Sequence, residues 1–464
     1  MTDKRHAILF AAIALGACKV GPDYAGPPKL LVGESFARKP VGVSAEEAVA
    51  PWWQALGDGV LDRLVGEALA QNPSVAEAEA RIAQAGAILR QRQVSDLPSV
   101  SPSLIAAKAD LPSFTGSGKR TSLEVYNLGA TASWEPDFWG AARRTNEAAR
   151  ASLAERQAQR ADVQVSLSAQ VVQAYVNLRD AQARRAMLER SAQGRTRALD
   201  MMVQRQAAGT ATQADVAAAQ GNLQSAQAQI APVAGQIAVA MNQLAVLTGK
   251  APGALDASLA GPAPLPRLPA QVAVGSPASL IAHRPDIRAA ERNLAGATAQ
   301  VGATKASLLP HLSFTGILGL GGTSASTMFD PSNVALGLLP QLKWSGLDWG
   351  KGRASQRQAQ AQRDMSEAQY RRVVLSALED AESSLARFGA ARVRLGHLAM
   401  AAQAAEAGAR LGQERVKAGT SSPLEQIDRD TRAIDAQMAR SQAEADLLVA
   451  YVGVAKSLGL GWRD

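Results

Sequence analysis

Few side chains in this sequence are placed to do chemistry. The only cysteine, Cys18, follows Leu15-Gly16-Ala17, behind a basic start (Lys4, Arg5) and an apolar run from Ala7 to Leu15. A thiol after small residues and a short apolar run is the acylation site of a bacterial lipoprotein signal peptide. The run is about nine residues, under half of the ~20 that a membrane-spanning helix needs, so residues 1–17 read as a cleaved leader. Cys18 is then the first mature residue and carries lipid. One acyl chain binds weakly, so firm anchoring implies that Cys18 is multiply acylated. Lys19 stands where an inner-membrane lipoprotein often carries Asp, which points to the outer membrane.

The other reactive residues form no constellation. His6, His283, His311 and His397 are scattered, with no H-E-x-x-H spacing to hold a metal. Gly316, Gly319, Gly321 and Gly322 lack the G-x-G-x-x-G order and fit a strand and hairpin better. No nucleophile lies beside a base. The expectation is a protein that is not an enzyme, with no catalytic residue, no metal and no cofactor. A single cysteine excludes an intrachain disulfide. The net charge of +8 comes from 49 basic and 41 acidic residues, interleaved as in Glu147, Arg150, Glu155, Arg156, Arg160 and Asp162. Mixed charge of this kind is a solvated helix face, so no nucleic acid is expected.

The positioning elements come from a chain written twice. Asn72-Pro73 corresponds to Arg284-Pro285 and Leu97-Pro98 to Leu309-Pro310, at an offset of 212. Trp134-Glu-Pro-Asp-Phe-Trp-Gly140 corresponds to Trp344-Ser-Gly-Leu-Asp-Trp-Gly350, Ala208-Gly209-Thr210 to Ala418-Gly419-Thr420, and Gly249 to Gly459, at an offset of 210. Within each half, a helix opens at the proline and runs to Ser95 or Leu308. The Leu-Pro dipeptide stops it, and strands follow. Leu312, Phe314, Leu318 and Leu320, then Leu336, Leu338, Leu342 and Trp344, alternate with small or polar residues. The first-half strands, Ser99 to Asp110 and Thr121 to Trp134, alternate less clearly. A 65-residue helical run then spans Arg143 to Ala207 or Arg353 to Lys417, about 98 Å at 1.5 Å per residue. It turns at Gly209 or Gly419 into a shorter return helix, with room for the two short helices to stack end to end. Pro232 should kink the first return helix.

The organisation expected is a signal peptide (residues 1–17), an N-terminal anchored segment with a short helix (18–71), a first repeat (72–249, hairpin 99–134), and a Pro-rich connector (250–279). A second repeat (280–459, hairpin 311–347) and a tail (460–464) follow. Outside the leader, no stretch holds about eighteen consecutive apolar residues, so any membrane crossing must be a closed β-barrel.

The turns between long helices are tightly specified. Arg205-x-x-x-Gly209-Thr210-x-Thr212-x-x-Asp215 recurs as Arg415-x-x-x-Gly419-Thr420-x-Ser422-Pro423-x-Glu425. Glycine supplies the left-handed residue that ends a helix. Thr212 or Ser422 caps the next one, with the carboxylate three residues on completing a capping box.

With these motifs assembled, the chain resembles the TolC-like outer-membrane efflux factors, in the lipoprotein branch called NodT- or OprM-type. The resemblance rests on Cys18-Lys-Val-Gly-Pro-Asp-Tyr24, Trp52-Trp53, Leu61-Asp-Arg-Leu-Val65, Ala68-Leu-Ala-Gln-Asn-Pro73, the paired Trp134 and Trp344 motifs and both turns. It implies a mainly α fold with a transmembrane β-barrel portion. Long helical hairpins would form a trimeric α-barrel tunnel continuous with a twelve-stranded barrel, four strands per subunit. It also implies a passive exit duct in the outer membrane of a Gram-negative bacterium. The implied partners are two further copies, a periplasmic adaptor, an inner-membrane pump of RND type and outer-membrane lipid. The turns, with Arg205, Gly209, Thr210, Thr212, Arg415, Gly419, Thr420 and Ser422, would be adaptor-docking tips. Physics requires the oligomer independently, since eight strands is the smallest membrane barrel and an open edge leaves backbone groups unsatisfied in lipid.

The resemblance further implies a constricted periplasmic end. Arg410, Gln413, Glu414 and Lys417 precede Gly419, and Asp428, Arg429, Asp430 and Arg432 follow it. Two readings of this cluster stand: a solvated surface, where ion pairs contribute about 0–1 kcal/mol, and a gate in which weak pairs repeat three times around one axis. A lipid-anchored periplasmic coiled-coil scaffold is the alternative for the whole chain, and it leaves the matched strands unexplained.

Overall fold

The computed structural model describes residues 19–28, 32–46, 51–111, 121–324, 326–344, 346 and 348–462. The leader and Cys18 lie outside the described residues.

In chain order the elements are β1 (Val43–Ser44), a 3-10 turn (Trp52–Leu56), α1 (Gly59–Gln71), α2 (Pro73–Ser95), β2 (Ser99–Leu111), β3 (Thr121–Trp134) and α3 (Ala141–Ala207). Next come α4 (Gln213–Ala228), α5 (Ile230–Leu247), α6 (Asp256–Leu259), β4 (Val272–Ala273), α7 (Pro277–His283) and α8 (Pro285–Ala306). The second half continues with β5 (His311–Gly322), a 3-10 turn (Pro331–Asn333), β6 (Val334–Lys343), α9 (Lys351–Lys417) and α10 (Pro423–Ser457). Both long helices have 67 residues.

The chain divides into two compact units. One comprises residues 1–29, 81–156 and 289–371; the other 30–80, 157–288 and 372–464. The first holds a four-stranded antiparallel sheet in the order β2-β3-β5-β6. β6 ends at Lys343, four residues before the expected end of the hairpin at 347. Beyond it Asp348 turns the chain into α9, its carboxylate accepting from the backbone N–H of Gly350 (3.0 Å) and Gly352 (2.5 Å).

The second unit is helical. Its core gathers Trp52 against Tyr451 (edge to face, 5.5 Å), with Leu61, Leu64, Val65, Leu244, Leu259, Leu385 and Phe388 fully buried. Asp58 caps α1 at Val60 and Leu61 and accepts from the Tyr175 hydroxyl at 2.8 Å. The Pro-rich connector departs from a simply extended chain. It contains α6 and β4, and β4 pairs in parallel with β1. Buried Arg179 and Gln182 on α3 donate to the carbonyls of Gly261 (2.8 Å) and Leu259 (2.7 Å), giving the connector's backbone partners that its prolines cannot provide.

Pro232 acts as an interruption and not merely a kink. The helix breaks at Gln229 and restarts at Ile230, which puts Pro232 in a first turn where its missing N–H costs nothing. The matching α10 runs unbroken for 35 residues. The segment Gln213–Leu247 is long and apolar enough by composition to cross a membrane, which the sequence did not lead us to expect. Gln229 interrupts it, and Val233, Ile237, Ala240, Met241 and Leu244 are buried in the protein's own core.

The two end-to-end joints expected between short helices are both formed, and they are chemically parallel. Asn72, before α2, donates from Nδ2 to the carbonyl of Leu247 at the end of α5 (2.8 Å). Arg284, before α8, donates from Nη1 to the carbonyl of Ser457 at the end of α10 (2.6 Å). Gly249 and Gly459, each with φ of +73°, end the return helices at these joints.

Candidate functional site

Strand register sorts the sheet into two faces of different chemistry. Leu104 pairs with Leu128, Leu128 with Leu320 and Leu320 with Val334, while Leu318 pairs with Leu336 and Leu312 with Leu342. This face is almost wholly apolar, and most of its leucines are exposed, Leu336 at 83%, with Leu312 and Leu320 half-buried. The opposite face is mixed. Ser99, Ser133, Thr315 and Leu339 form one row and Ser101, Thr131, Ile317 and Gly337 the next, with Gly129 and Gly319 adjacent. Ile105, Leu123 and Val125 lie on it toward the far end of the first hairpin. Trp134 stacks on Phe314 (6.3 Å) at one end of the apolar face. Tyr126 lies eight residues along, roughly 27 Å at about 3.4 Å per residue. The Lys108–Glu124 ion pair (2.6 Å) sits just beyond it. Tilted by about 40°, that span covers about 20 Å of height, close to the ~25 Å apolar band of outer-membrane barrels with aromatic girdles. Among the described residues, β2 and β6 leave the two edges of the sheet unpaired.

The residues following Cys18 are bound down in the same unit. Arg144, on the first turn of α3, has a fully buried side chain. It donates to the carbonyls of Val20 (3.2 Å) and Gly21 (3.0 Å) and pairs with Asp23 and Glu147 (each 3.0 Å). Lys19 bridges the same two carboxylates. The Lys19 ammonium and then the Arg144 guanidinium hold the Asp23 carboxyl below its ordinary 3.8. Tyr24 donates to Glu291 at 2.7 Å. The sequence reading missed Arg144. A signal was available: its repeat counterpart is Ala354, so it serves something present once, like the anchor.

Both tips are Schellman turns. At the first, the N–H of Thr210 bonds the carbonyl of Arg205 (2.8 Å) and that of Gly209 the carbonyl of Gln206 (2.9 Å). At the second, Thr420 bonds Arg415 (2.9 Å) and Gly419 bonds Val416 (3.0 Å). Gly209 and Gly419 have φ of +73° and +74°. The Thr210 and Thr420 hydroxyls also donate to the Arg205 and Arg415 carbonyls (3.0 and 3.1 Å). Thr212 and Asp215 form a full capping box. At the second tip the Ser422 hydroxyl accepts from the Glu425 N–H (3.1 Å), but the Glu425 carboxylate takes the Ser421 hydroxyl (2.5 Å) and Arg429 (3.0 Å). So the second box is only half formed. Hydrogen bonds from Thr212 hold Asp215 below its ordinary value, and Ser421 with Arg429 does the same for Glu425. Asp215 stays charged, and its share of the first cap intact, until pH falls below its ordinary 3.8, and Glu425 keeps its charge for Ser421 and Arg429 until pH falls below its ordinary 4.5.

The proposed gate residues are less unified. Lys417 donates to Glu414 (2.8 Å), Asp430 accepts from Gln426 (2.7 Å), and Asp428 reaches Arg195 on α3 (3.6 Å). Arg410, Gln413 and Arg432 are exposed. The cluster thus splits into local pairs, with Asp428 reaching from α10 to another long helix.

Among known proteins, the model of the family described as "Outer membrane efflux protein" matches residues 64–250 and 277–460, both halves of the repeat. The chain belongs to this outer membrane efflux protein family. Nodulation protein T of Rhizobium leguminosarum bv. trifolii is 29% identical over 468 residues, covering 99% of this chain and 98% of that one. Outer membrane protein OprJ of Pseudomonas aeruginosa is 28% identical over 464 residues, covering 98% and 95%. In solved structures, this efflux protein is similar to the outer-membrane channel OprN, with a TM-score of 0.88 and 30% identity over 96% of this chain and all of that one. It is also similar to the open MtrE outer membrane channel of Neisseria gonorrhoeae, at a TM-score of 0.81 and 26% identity, over 96% and 98%.

Proposed function

We propose that this efflux protein is a passive exit duct: three copies close a twelve-stranded barrel in the outer membrane and a helical tunnel in the periplasm. A periplasmic adaptor and an inner-membrane pump of RND type deliver small molecules to it. The observation that carries this reading is the sheet with one almost wholly apolar face, a second face that mixes serine, threonine and glycine with apolar residues, and two open edges. A scaffold outside the membrane would leave that apolar face in water, whereas a barrel puts it in lipid and the mixed face, which holds the serines and threonines, around the pore. Heat-modifiable trimers on seminative gels and conductance steps in planar bilayers test it. A monomer with no conductance overturns it.

Anchoring belongs to the same proposal. Cys18→Ser should abolish palmitate incorporation and leave unprocessed precursor, while the barrel still assembles because strand pairing satisfies the backbone in lipid. Metabolic labelling decides it, and unchanged label in the variant refutes the anchor.

The tip residues are proposed to dock the adaptor, and the charged cluster beside the second tip to hold the duct shut. Asp428 supports the second role because it joins two long helices. Asp428→Asn with Asp430→Asn should raise single-channel conductance and sensitivity to large antibiotics. Bilayer recordings matching the parent channel would remove both residues from the gate.

A further inference from the structure

The internal repeat makes it possible to derive an interface that a single chain cannot form. Moving β2 by 212 positions and β3 by 210 carries the pair Ser99–Ser133 onto His311–Lys343, and these two residues are paired in the second hairpin. The two hairpins therefore share one register, and the two-residue difference falls in the loops between their strands. The same operation applied to the β3–β5 pairing carries β3 onto β6 and returns β5 to β2. Within one chain β2 and β6 are the opposite edges of the sheet. The β2 that the operation requires beside β6 is therefore that of a second copy.

We propose that β6 pairs with β2 of the partner subunit in the register fixed by this operation. Ser133–Thr315 becomes Lys343 opposite Ser103 of the partner subunit. Trp134–Phe314 becomes Trp344 opposite Pro102 of the partner subunit, and Ala132–Gly316 becomes Leu342 opposite Leu104 of the partner subunit. The inference rests on the trimeric duct proposed above and deepens it to individual residues.

Two observations support this register independently. The first is face chemistry. The pairing continues the apolar row (Leu342 beside the partner's Leu104) and keeps Lys343 and the partner's Ser103 on the opposite, mixed face, beside the row of Ser101 and Thr131. A slip of one residue would set Lys343 against Leu104 and put a charge into the apolar band. The second is a tryptophan without a partner. Trp139, just after β3, donates from Nε1 to the carbonyl of Pro310, just before β5, at 2.8 Å. Its counterpart Trp349 is fully exposed at 102%, with a strained φ of +53°, the only positive φ outside glycine among the described residues. The operation carries Pro310 onto Pro98. The Trp349 indole is therefore assigned the carbonyl of Pro98 of the partner subunit. A slip of two residues, which face chemistry alone tolerates, would move that acceptor by about 7 Å along the strand.

Disulfide trapping reads the register directly. Within one chain, the row of Ser103 meets β6 at Ala335, so positions 103 and 343 lie three strand spacings across (about 14 Å at ~4.8 Å each) and eight residues along the strand (roughly 27 Å at ~3.4 Å each), far beyond the ~7 Å limit for a disulfide. Any bond between them is intersubunit. Oxidised Ser103→Cys/Lys343→Cys protein should run as covalent dimers and trimers on non-reducing denaturing gels. The slipped pairs Ile105→Cys/Lys343→Cys and Ser103→Cys/Gln341→Cys should link at least about tenfold less. Equal or better linking by a slipped pair overturns the register, and so does no linking by any pair in a protein that runs as a trimer on native gels. An unsubstituted chain that is monomeric on those gels instead overturns the duct itself. Trp349→Phe keeps an aromatic side chain but removes the pyrrole N–H donor, so it should lower the temperature at which the trimer dissociates. An unchanged temperature refutes the contact with Pro98 of the partner subunit.

Discussion

Arg144→Ala should release the residues that follow Cys18, the proposed lipid acceptor. The guanidinium is buried and serves the carbonyls of Val20 and Gly21 together with the carboxylates of Glu147 and Asp23. Removing it leaves the two carbonyls without their donor, and it leaves Glu147 with Lys19 alone. Breaking a buried ionic site typically costs about 3–5 kcal/mol. The outer carboxylate, Asp23, is solvated, so we expect about 3 kcal/mol, or roughly 100-fold in the opening equilibrium of this segment. Trypsin cutting after Lys19 reads that opening, by mass spectrometric detection of the acylated Cys18-Lys19 fragment. Cleavage at the parent rate would show that Arg144 does not hold the segment. Acid should act in the same direction. Asp23 has its carboxyl lowered by Lys19 and Arg144, so its share of the docking is complete above pH ~4 and fades as pH falls through the lowered value.

The second large effect separates four glycines that the sequence makes look alike. Gly209, Gly419, Gly249 and Gly459 all end helices in the left-handed region with φ of +73° or +74°. Alanine there costs about 1–2 kcal/mol of backbone strain at any of them. At the tips a Cβ meets nothing within 4 Å. At the joints it would lie 2.5 Å from the Gln71 carbonyl oxygen for Gly249, and 2.7 Å from Arg284 Cγ and 3.1 Å from Arg284 Cα for Gly459. Backbone cannot move aside cheaply, so overpacking adds about 1–3 kcal/mol. Gly249→Ala and Gly459→Ala should therefore lower the thermal unfolding midpoint of detergent-solubilised protein markedly more than Gly209→Ala and Gly419→Ala. Equal shifts for all four would mean that the joints yield. The tip valines answer a separate question: Gly209→Val with Gly419→Val should weaken efflux and leave membrane insertion intact. Normal export would argue against docking at the tips.

Much of this architecture was legible in the sequence because its determinants are local. Proline at a first turn, Leu-Pro at a helix end and glycine before a hydroxyl-capped turn act within a few residues, and the repeat doubled each signal. Alternation in the second hairpin was equally local. The first hairpin was harder to read. Ser99, Ser101 and Ser103 alternate there with Val100, Pro102 and Leu104, but Ala106, Ala107 and Ala109 suit either face, and pairing with β3 assigned them. The family followed from ordered landmarks over the whole chain.

Tertiary structure decided what depends on residues far apart in sequence. Arg144 became a binding site for the N-terminal segment only when Val20 and Gly21 were brought against it. The likeness of Asn72 to Arg284 appeared only once each was seen to donate to the last carbonyls of a return helix. Hydrogen bonds of this kind obey distance in space, which a linear pattern does not record. The sequence alone determined the long helices, the two hairpins, the repeat and the lipid-acceptor motif at Cys18. Register, the two faces of the sheet and the difference between equivalent glycines came from packing, because a Cβ clashes only with what the fold has placed beside it.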